Sequence, residues 1–213
     1  DSLTETIPEF HNTIDRYRQF KESVAEDRVG RAGQVRDEID FVLAREEKGS
    51  TLQKMRCSGE LPLRVTHNDT KLNNVLLDRE NHRSLCVLDL DTVMPGLSAY
   101  DFAATAAEDE RDVSKMGLDL HLFEVYTRGF LEAATSLTDL EVKMLPMGAY
   151  VMTLEVGLRF LKDYLDGDLY FKTDYPEHNL IRARTQLKLV EDMEQKMDQM
   201  DRIVAQVAEQ VRK

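Results

Sequence analysis

Between Leu63 and Asp91 the chain carries three short apolar runs, Leu63–Val65, Asn74–Leu77 and Leu85–Leu88, the last two separated by the polar turn Asp78–Ser84. On either side of that stretch, apolar residues recur at helical spacing instead. Short runs bounded by turn residues predict buried strands, and the flanking spacing predicts amphipathic helices. The fold class expected is therefore α+β and mostly helical, with a small central β-hairpin region enclosed by helices.

The helical stretches can be placed. Ile14, Tyr17, Phe20 and Val24 predict a helix over 13–27, and Val35, Ile39, Val42 and Leu43 predict another over 32–47. Residues 48–62 read as a loop, with Gly49, Ser50, Ser58, Gly59 and Pro62 as punctuation. Residues 118–134 are amphipathic, and Thr138-Asp-Leu-Glu141 fits a capping box that opens the next helix. A further helix over 147–165 follows Pro146 and stops at Asp166-Gly167. From Leu180 the chain reads as one helix to its end, roughly 50 Å long at about 1.5 Å per residue. Met193, Met197, Met200, Val204, Val207 and Val211 form a heptad-like stripe along it. Such a stripe packs on its own domain or pairs two copies as a homodimer.

A length of 213 residues suits one large domain or two small ones. The net charge of −12 excludes a general nucleic-acid binder, whose phosphate contacts need clustered Lys and Arg. It leaves a nucleotide enzyme open, because a bound metal can dominate the local field. No apolar run approaches the ~20 residues that span a bilayer, so no membrane partner is expected. The N-terminus has no signal-peptide character and no initiator Met, which predicts that the chain begins inside a longer protein. Cys57 and Cys86 share no metal or redox spacing, and Cys86 in SLCVLD reads as a buried free thiol. A reducing, cytoplasmic compartment is expected.

The chemistry concentrates in Val65-Thr-His67-Asn-Asp69-Thr-Lys71-Leu-Asn-Asn74-Val-Leu-Leu-Asp78. An Asn follows Asp69 by five residues, and Asp89 lies fifteen residues beyond that Asn, in Val87-Leu-Asp89-Leu-Asp91. Phosphoryl transfer from ATP needs divalent metal held by hard oxygen ligands and a separate carboxylate beside the attacking hydroxyl. Asn74 opens one strand and Asp89 closes the next, so antiparallel pairing puts both at one end of a hairpin as Mg2+ ligands. Asp91 is either a second metal contact or a helper for the turn. Asp69 is the candidate catalytic base, and Lys71 the candidate for offsetting charge on the γ-phosphate. His67 is expected to brace the loop by hydrogen bonding. His11, His82, His121 and His178 share no ligand spacing and are read as surface or packing residues. No G-x-S-x-G, H-E-x-x-H or G-x-x-x-x-G-K-[ST] motif is present.

This constellation resembles the catalytic and metal loops of protein kinases, and more closely the aminoglycoside/choline-kinase-like phosphotransferases. In that family H-x-D-x-x-x-x-N precedes a strand end of the form I-D-x-[DE]. The string Gly96-Leu-Ser-Ala-Tyr-Asp101-Phe-Ala fits its later aspartate, whose family role implies that Asp101 braces the catalytic loop. The strings THNDTKLNNVLLD, VLDLDTVMPGLSAYDF and LRFLKDYLDGDLYFK resemble the N-acetylhexosamine 1-kinases across essentially the whole chain, as that family's C-terminal lobe. The resemblance implies a sugar and ATP as substrates, and sugar contacts at Asp69, Asp89, Arg159 and Tyr170. An Arg fork and an amphipathic ring suit a hydroxyl- and acetamide-bearing ligand, although the same two residues also read as a salt-bridging helix residue and a packing ring.

The chain departs from the family in two places. No segment supplies the loop and strand Lys of the N-terminal, ATP-covering lobe, which is expected to lie outside this chain. After Asp101 the sequence joins Phe102-Ala-Ala-Thr105 directly to an acidic run, where the sugar kinases carry several more residues. The same constellation would serve another alcohol acceptor, such as an amino alcohol or a different sugar. A chain that kept the helices but lost turnover would be a helical interaction module.

Overall fold

The computed structural model describes residues 3–102 and 112–212. The helices and strands run in the order α1 (Thr13–Glu26), α2 (Arg36–Leu43), α3 (Glu46–Gly49), α4 (Thr51–Ser58), β1 (Arg64–Thr66), β2 (Val75–Leu77), β3 (Ser84–Val87) and β4 (Met94–Gly96). They continue as α5 (Ser98–Asp101), α6 (Leu120–Ala133), α7 (Asp139–Lys143), α8 (Leu145–Asp166) and α9 (His178–Val211). The segment after Phe102, where the chain departs from the sugar-kinase pattern, and the acidic run Glu108–Glu110 lie outside the described residues.

The centre is α8. Tyr150, Leu154, Leu158, Leu161 and Leu165 are all buried along it, as expected of a helix apolar on nearly every face. Its start carries Pro146 in the first turn, and its end is capped by Gly167 in the left-handed conformation. Helices α1, α5 and α9 pack on it, and α6 packs against α9. The methionine–valine stripe of α9 is spent here, since Met193, Met200, Val204 and Val207 are buried within the chain itself.

Two expectations fail between residues 32 and 62 for one reason. The helix expected over 32–47 becomes a short 3₁₀ turn and then α2, and breaks at Ala44-Arg45. The loop expected over 48–62 contains α4. Helices α2, α3 and α4 all touch α8, and Ile39, Val42 and Leu52 are buried. A single straight helix could not turn all three inward, so the chain bends between short segments. Gly49 serves that packing rather than a loop. A Cβ there would come within 2.9 Å of the Tyr17 hydroxyl and 3.0 Å of a Leu154 methyl.

The strands form two antiparallel pairs. β1 pairs with β4 in the register Arg64↔Gly96 and Thr66↔Met94, and β2 with β3 in the register Val75↔Val87. No strand was expected at β4, where Pro95 and Gly96 are both residues that weaken a strand. As half of a two-stranded ribbon it tolerates Pro95, which needs no N–H on its open side. The β2–β3 hairpin forms where expected but is not buried. Leu76, Leu77, Leu85, Val87 and Leu88 are each 41–59% exposed, and Cys86 is exposed rather than sealed in. An apolar run shows that a face is apolar, not that anything covers it. Cys57 and Cys86 are both free.

β1 is tied to the helical body through the capping box of α7. Thr138 and Glu141 cap the helix reciprocally, as the spacing predicts. The Glu141 carboxylate also takes Arg64 of β1 in a two-pronged pair, at 2.9 and 2.7 Å, and the Ser98 hydroxyl of α5 at 3.1 Å. Burial would raise its pKa, but Arg64, Thr138 and Ser98 outweigh that and hold it down to about 2. A depressed carboxyl pKa gives stability that is complete above the unfolded value and is lost as pH falls towards the folded one. Thermal unfolding of the wild type should therefore weaken between about pH 4.5 and 2. Glu141→Gln should lose on the order of 2–3 kcal/mol at pH 7 and flatten that acid limb. An unchanged limb would dissociate Glu141 from the acid sensitivity.

Candidate active site

The H-x-D loop leaves β1 at Thr66 and is fastened at nearly every polar atom. The Asp101 carboxylate, at the end of α5, accepts the backbone N–H of His67 at 2.9 Å and that of Asn68 at 2.7 Å. The Asp101 carbonyl accepts the Thr70 hydroxyl at 2.9 Å. Burial pushes the Asp101 carboxyl up, and the two N–H donors hold it back. Asn68 adopts the left-handed conformation with φ of 63°, which Asn tolerates better than most residues. Its buried side chain donates to the Thr92 carbonyl at 3.0 Å and accepts from the Thr66 hydroxyl at 3.0 Å. Gly96 of β4 permits this contact, because a Cβ there would fall within 2.6 Å of the Asn68 side-chain oxygen. The site loop is thus built on α5, and α5 rests on α8 at Gly148, where a Cβ would run into the Ala99 carbonyl.

His67 spans the loop. Its Nδ1 accepts the Asp69 N–H at 3.3 Å, so its Nε2 donates to the Leu88 carbonyl at 3.0 Å, beside Asp89.

Asp69 is half-buried. Its Oδ2 accepts from Asn74 Nδ2 at 2.9 Å and pairs with Lys71 Nζ at 2.9 Å. Asn74 Nδ2 also donates to the Asp69 carbonyl at 2.8 Å. Both neighbours of that nitrogen are pure acceptors, so the orientation of the amide is decided, and Asn74 Oδ1 is the atom that could serve a cation as an oxygen ligand. The Leu88 N–H donates to the Asn74 carbonyl at 2.7 Å, extending the hairpin register by one residue. Asn74 and Asp89 therefore sit at the same end of the hairpin.

Asp89 is exposed and has a left-handed backbone with φ of 57°, which turns the chain out of β3 into the 3₁₀ turn Leu90–Thr92. That conformation costs a non-glycine residue roughly 1 kcal/mol, a strain associated with functional positions. Asp91 is also exposed, and its carbonyl accepts the Thr6 hydroxyl at 2.9 Å. Among the described residues no three His, Cys, Asp or Glu side chains converge as a metal cage. A cation here would rest on one amide oxygen, one or two carboxylates and groups from the substrate. That sparse hard-oxygen set fits Mg2+, which keeps waters and phosphate oxygens in its shell.

Arg159 and Tyr170 come together, but elsewhere. They line a cavity of about 530 Å³ with Phe10, Arg16, Asp163 and Phe171. The Arg159 guanidinium lies 5.7 Å from the centre of the Tyr170 ring and 5.8 Å from that of Phe10. Neither Asp69 nor Asp89 lines this cavity, so the four sugar contacts implied by resemblance fall into two groups. The cavity is joined to the catalytic loop through Phe10 and the adjacent His11.

Three residues that hold these parts were not singled out. Asp163 accepts the consecutive N–H groups of Leu169, Tyr170 and Phe171 at 2.8–3.0 Å, and so shapes the loop that carries Tyr170. His11, read as a surface or packing residue, is 6% exposed and bridges the Asn68 carbonyl and Glu155. Glu155 did carry a signal, being the one charged residue between Leu145 and Leu158 of α8, which demands a buried partner.

The sequence pattern of the phosphotransferase enzyme family (APH) matches residues 2–137. The chain belongs to that family. The phosphotransferase assignment covers the candidate site from the H-x-D loop to Asp101 and supports a kinase-type enzyme. Phosphotransferases of this family generally use ATP and Mg2+. The matched span includes Phe10 and Arg16 on one wall of the cavity but stops before Arg159 and Tyr170 on the other. No described helix is long and apolar enough to cross a membrane.

Proposed function

We propose that this phosphotransferase transfers the γ-phosphoryl group of ATP to the anomeric hydroxyl of an N-acetylhexosamine, giving the sugar 1-phosphate. The observation that carries the transfer chemistry is the Asp69–Asn74–Lys71 cluster, in which a half-buried carboxylate meets both partners through Oδ2 and, among the described residues, keeps Oδ1 clear of hydrogen bonds. That free oxygen orients the acceptor hydroxyl and takes its proton as the hydroxyl oxygen bonds to phosphorus. The bond from phosphorus to the bridging oxygen of ADP breaks in line with the attack. Mg2+, when bound, supplies neutralisation of phosphate charge; Asn74 and Asp89 are the residues that would hold it, with Asp91 as a further contact. Lys71, tethered to Asp69 at 2.9 Å, offsets charge that develops during transfer.

The exposed leucines of the β2–β3 hairpin support a nucleotide resting on this face under a covering lobe, with the present helices as the C-terminal lobe. The sugar reading is supported by the Arg159–Tyr170 cavity, whose mixture of guanidinium, phenol and aromatic walls suits a polar ring bearing an acetamide.

The test is an acceptor screen of the full-length protein with Mg-ATP. GlcNAc or GalNAc should yield the 1-phosphate, identified by phosphorus NMR, and Arg159→Ala or Tyr170→Ala should raise KM for sugar more than KM for ATP. Turnover of choline or an aminoglycoside but of neither hexosamine would leave the phosphotransferase and overturn the sugar assignment.

A further inference from the structure

His11 lies on the segment before α1, and both of its ring nitrogens face oxygen. Nδ1 is 3.2 and 3.1 Å from the two Glu155 carboxylate oxygens, and Nε2 is 2.8 Å from the Asn68 carbonyl. Against burial, Arg159 and Arg16 beside Glu155 help hold its carboxyl below the ordinary value, so it stands as a carboxylate. Neither a carboxylate nor a carbonyl can donate, so both nitrogens must carry protons for both contacts to be hydrogen bonds. The ring is then an imidazolium.

The Asn68 carbonyl and the Asp69 N–H belong to one rigid peptide plane. His11 holds one edge of that plane at 2.8 Å, and His67 Nδ1 takes the other at 3.3 Å. On the far side of Asn68, its N–H is held by Asp101 at 2.7 Å. The plane that launches Asp69 is therefore clamped from α1's leading segment and from α5, although its own backbone is left-handed.

We propose that His11 is a positioning residue for phosphoryl transfer: as an imidazolium paired with Glu155, it holds the Asn68–Asp69 peptide so that the Asp69 carboxylate faces the acceptor. Its consequence for turnover rests on the kinase reading; the clamp itself does not. The charged groups around the ring are Glu155 and Arg159 of α8, Arg16 of α1 (3.9 Å from Glu155) and Asp101 of α5, with the Tyr100 ring centred 5.1 Å away. Burial alone would discharge the imidazole. The charge and hydrogen bond of Glu155, with the Asn68 carbonyl, reverse that and raise its pKa, while burial of Glu155 is outweighed by His11, Arg159 and Arg16. The pair is thus intact above the carboxylate's lowered pKa and is lost as pH rises through the raised histidine value.

Histidine-ring nitrogen–proton correlation spectra of the protein should show His11 doubly protonated at pH 7, identified by its loss in His11→Phe. His11→Phe should lower kcat about tenfold with little change in either KM, the scale of one charged hydrogen bond. It should also speed hydrogen exchange at the amides of residues 67–69. Glu155→Gln should move ring deprotonation and the alkaline limb of kcat together to lower pH, and it carries the test if His11→Phe does not fold. A singly protonated His11 ring at pH 7, or a limb that stays while the ring pKa moves, would overturn the proposal. If no alcohol acceptor is phosphorylated, the kinase reading fails, and the ring protonation and amide exchange still decide the clamp.

Discussion

Asp69→Asn should cut turnover with Mg-ATP by about 10²–10⁴-fold, the usual contribution of a positioned general base. The substitution keeps shape and hydrogen bonding. An amide oxygen can still accept from Asn74 Nδ2 and Lys71 Nζ, which now lie 2.9 Å from Asp69 Oδ2. What disappears is the capacity to take a proton. The Lys71 pair is half-exposed, so its loss of charge costs at most about 1 kcal/mol. Steady-state kinetics and a thermal melt of the same preparation check both halves. Full activity in Asp69→Asn would remove Asp69 from the mechanism, and a matching fall in Tm would show loop collapse instead.

Asp101→Ala should damage both stability and rate, without touching substrate. It leaves the N–H groups of His67 and Asn68 without their acceptor. Each unsatisfied donor costs about 1–3 kcal/mol, so the fold should lose about 2–6 kcal/mol. For a chain of this size that is a drop in Tm of roughly 10 °C. The surviving folded molecules should also turn over slowly, because Asn68 and Asp69 lose their anchor. Asp101→Asn restores one acceptor and sets an amide NH2 against the other N–H, so it should fall between Ala and wild type. A variant with normal Tm and low kcat would mean that Asp101 acts on the chemistry directly.

The parts of the site that were legible from spacing alone share one property: each depends on residues close in sequence, whereas the Asp101 brace, 33 residues from Asn68, was legible only through the family resemblance. His67, Asp69, Lys71 and Asn74 lie within one loop, and the turn at Asp78–Ser84 dictates that Asn74 and Asp89 finish on the same end of a hairpin. The capping box at Thr138–Glu141 is likewise local. The parts that were not legible depend on distant partners. His11 meets Asn68 57 residues away and Glu155 144 away, and Arg64 finds Glu141 across 77. β4 was hidden by Pro95, since only its place at an open edge makes proline acceptable.

The amino-acid sequence by itself determined the phosphotransferase family, the chemical groups at the catalytic loop and the helical character of both flanks. Spacing along a backbone with few allowed conformations suffices for that, because it dictates where neighbouring side chains point. Only the tertiary structure decided that α2, α3 and α4 are separate helices, that the hairpin's leucines stay exposed, and that Arg159 and Tyr170 share a cavity Asp69 does not enter. The first of those outcomes comes from how the short helices share the surface of α8, and the second from the hairpin's place away from it. Packing of that kind is set by the shapes of residues far apart in the chain, which no local pattern encodes.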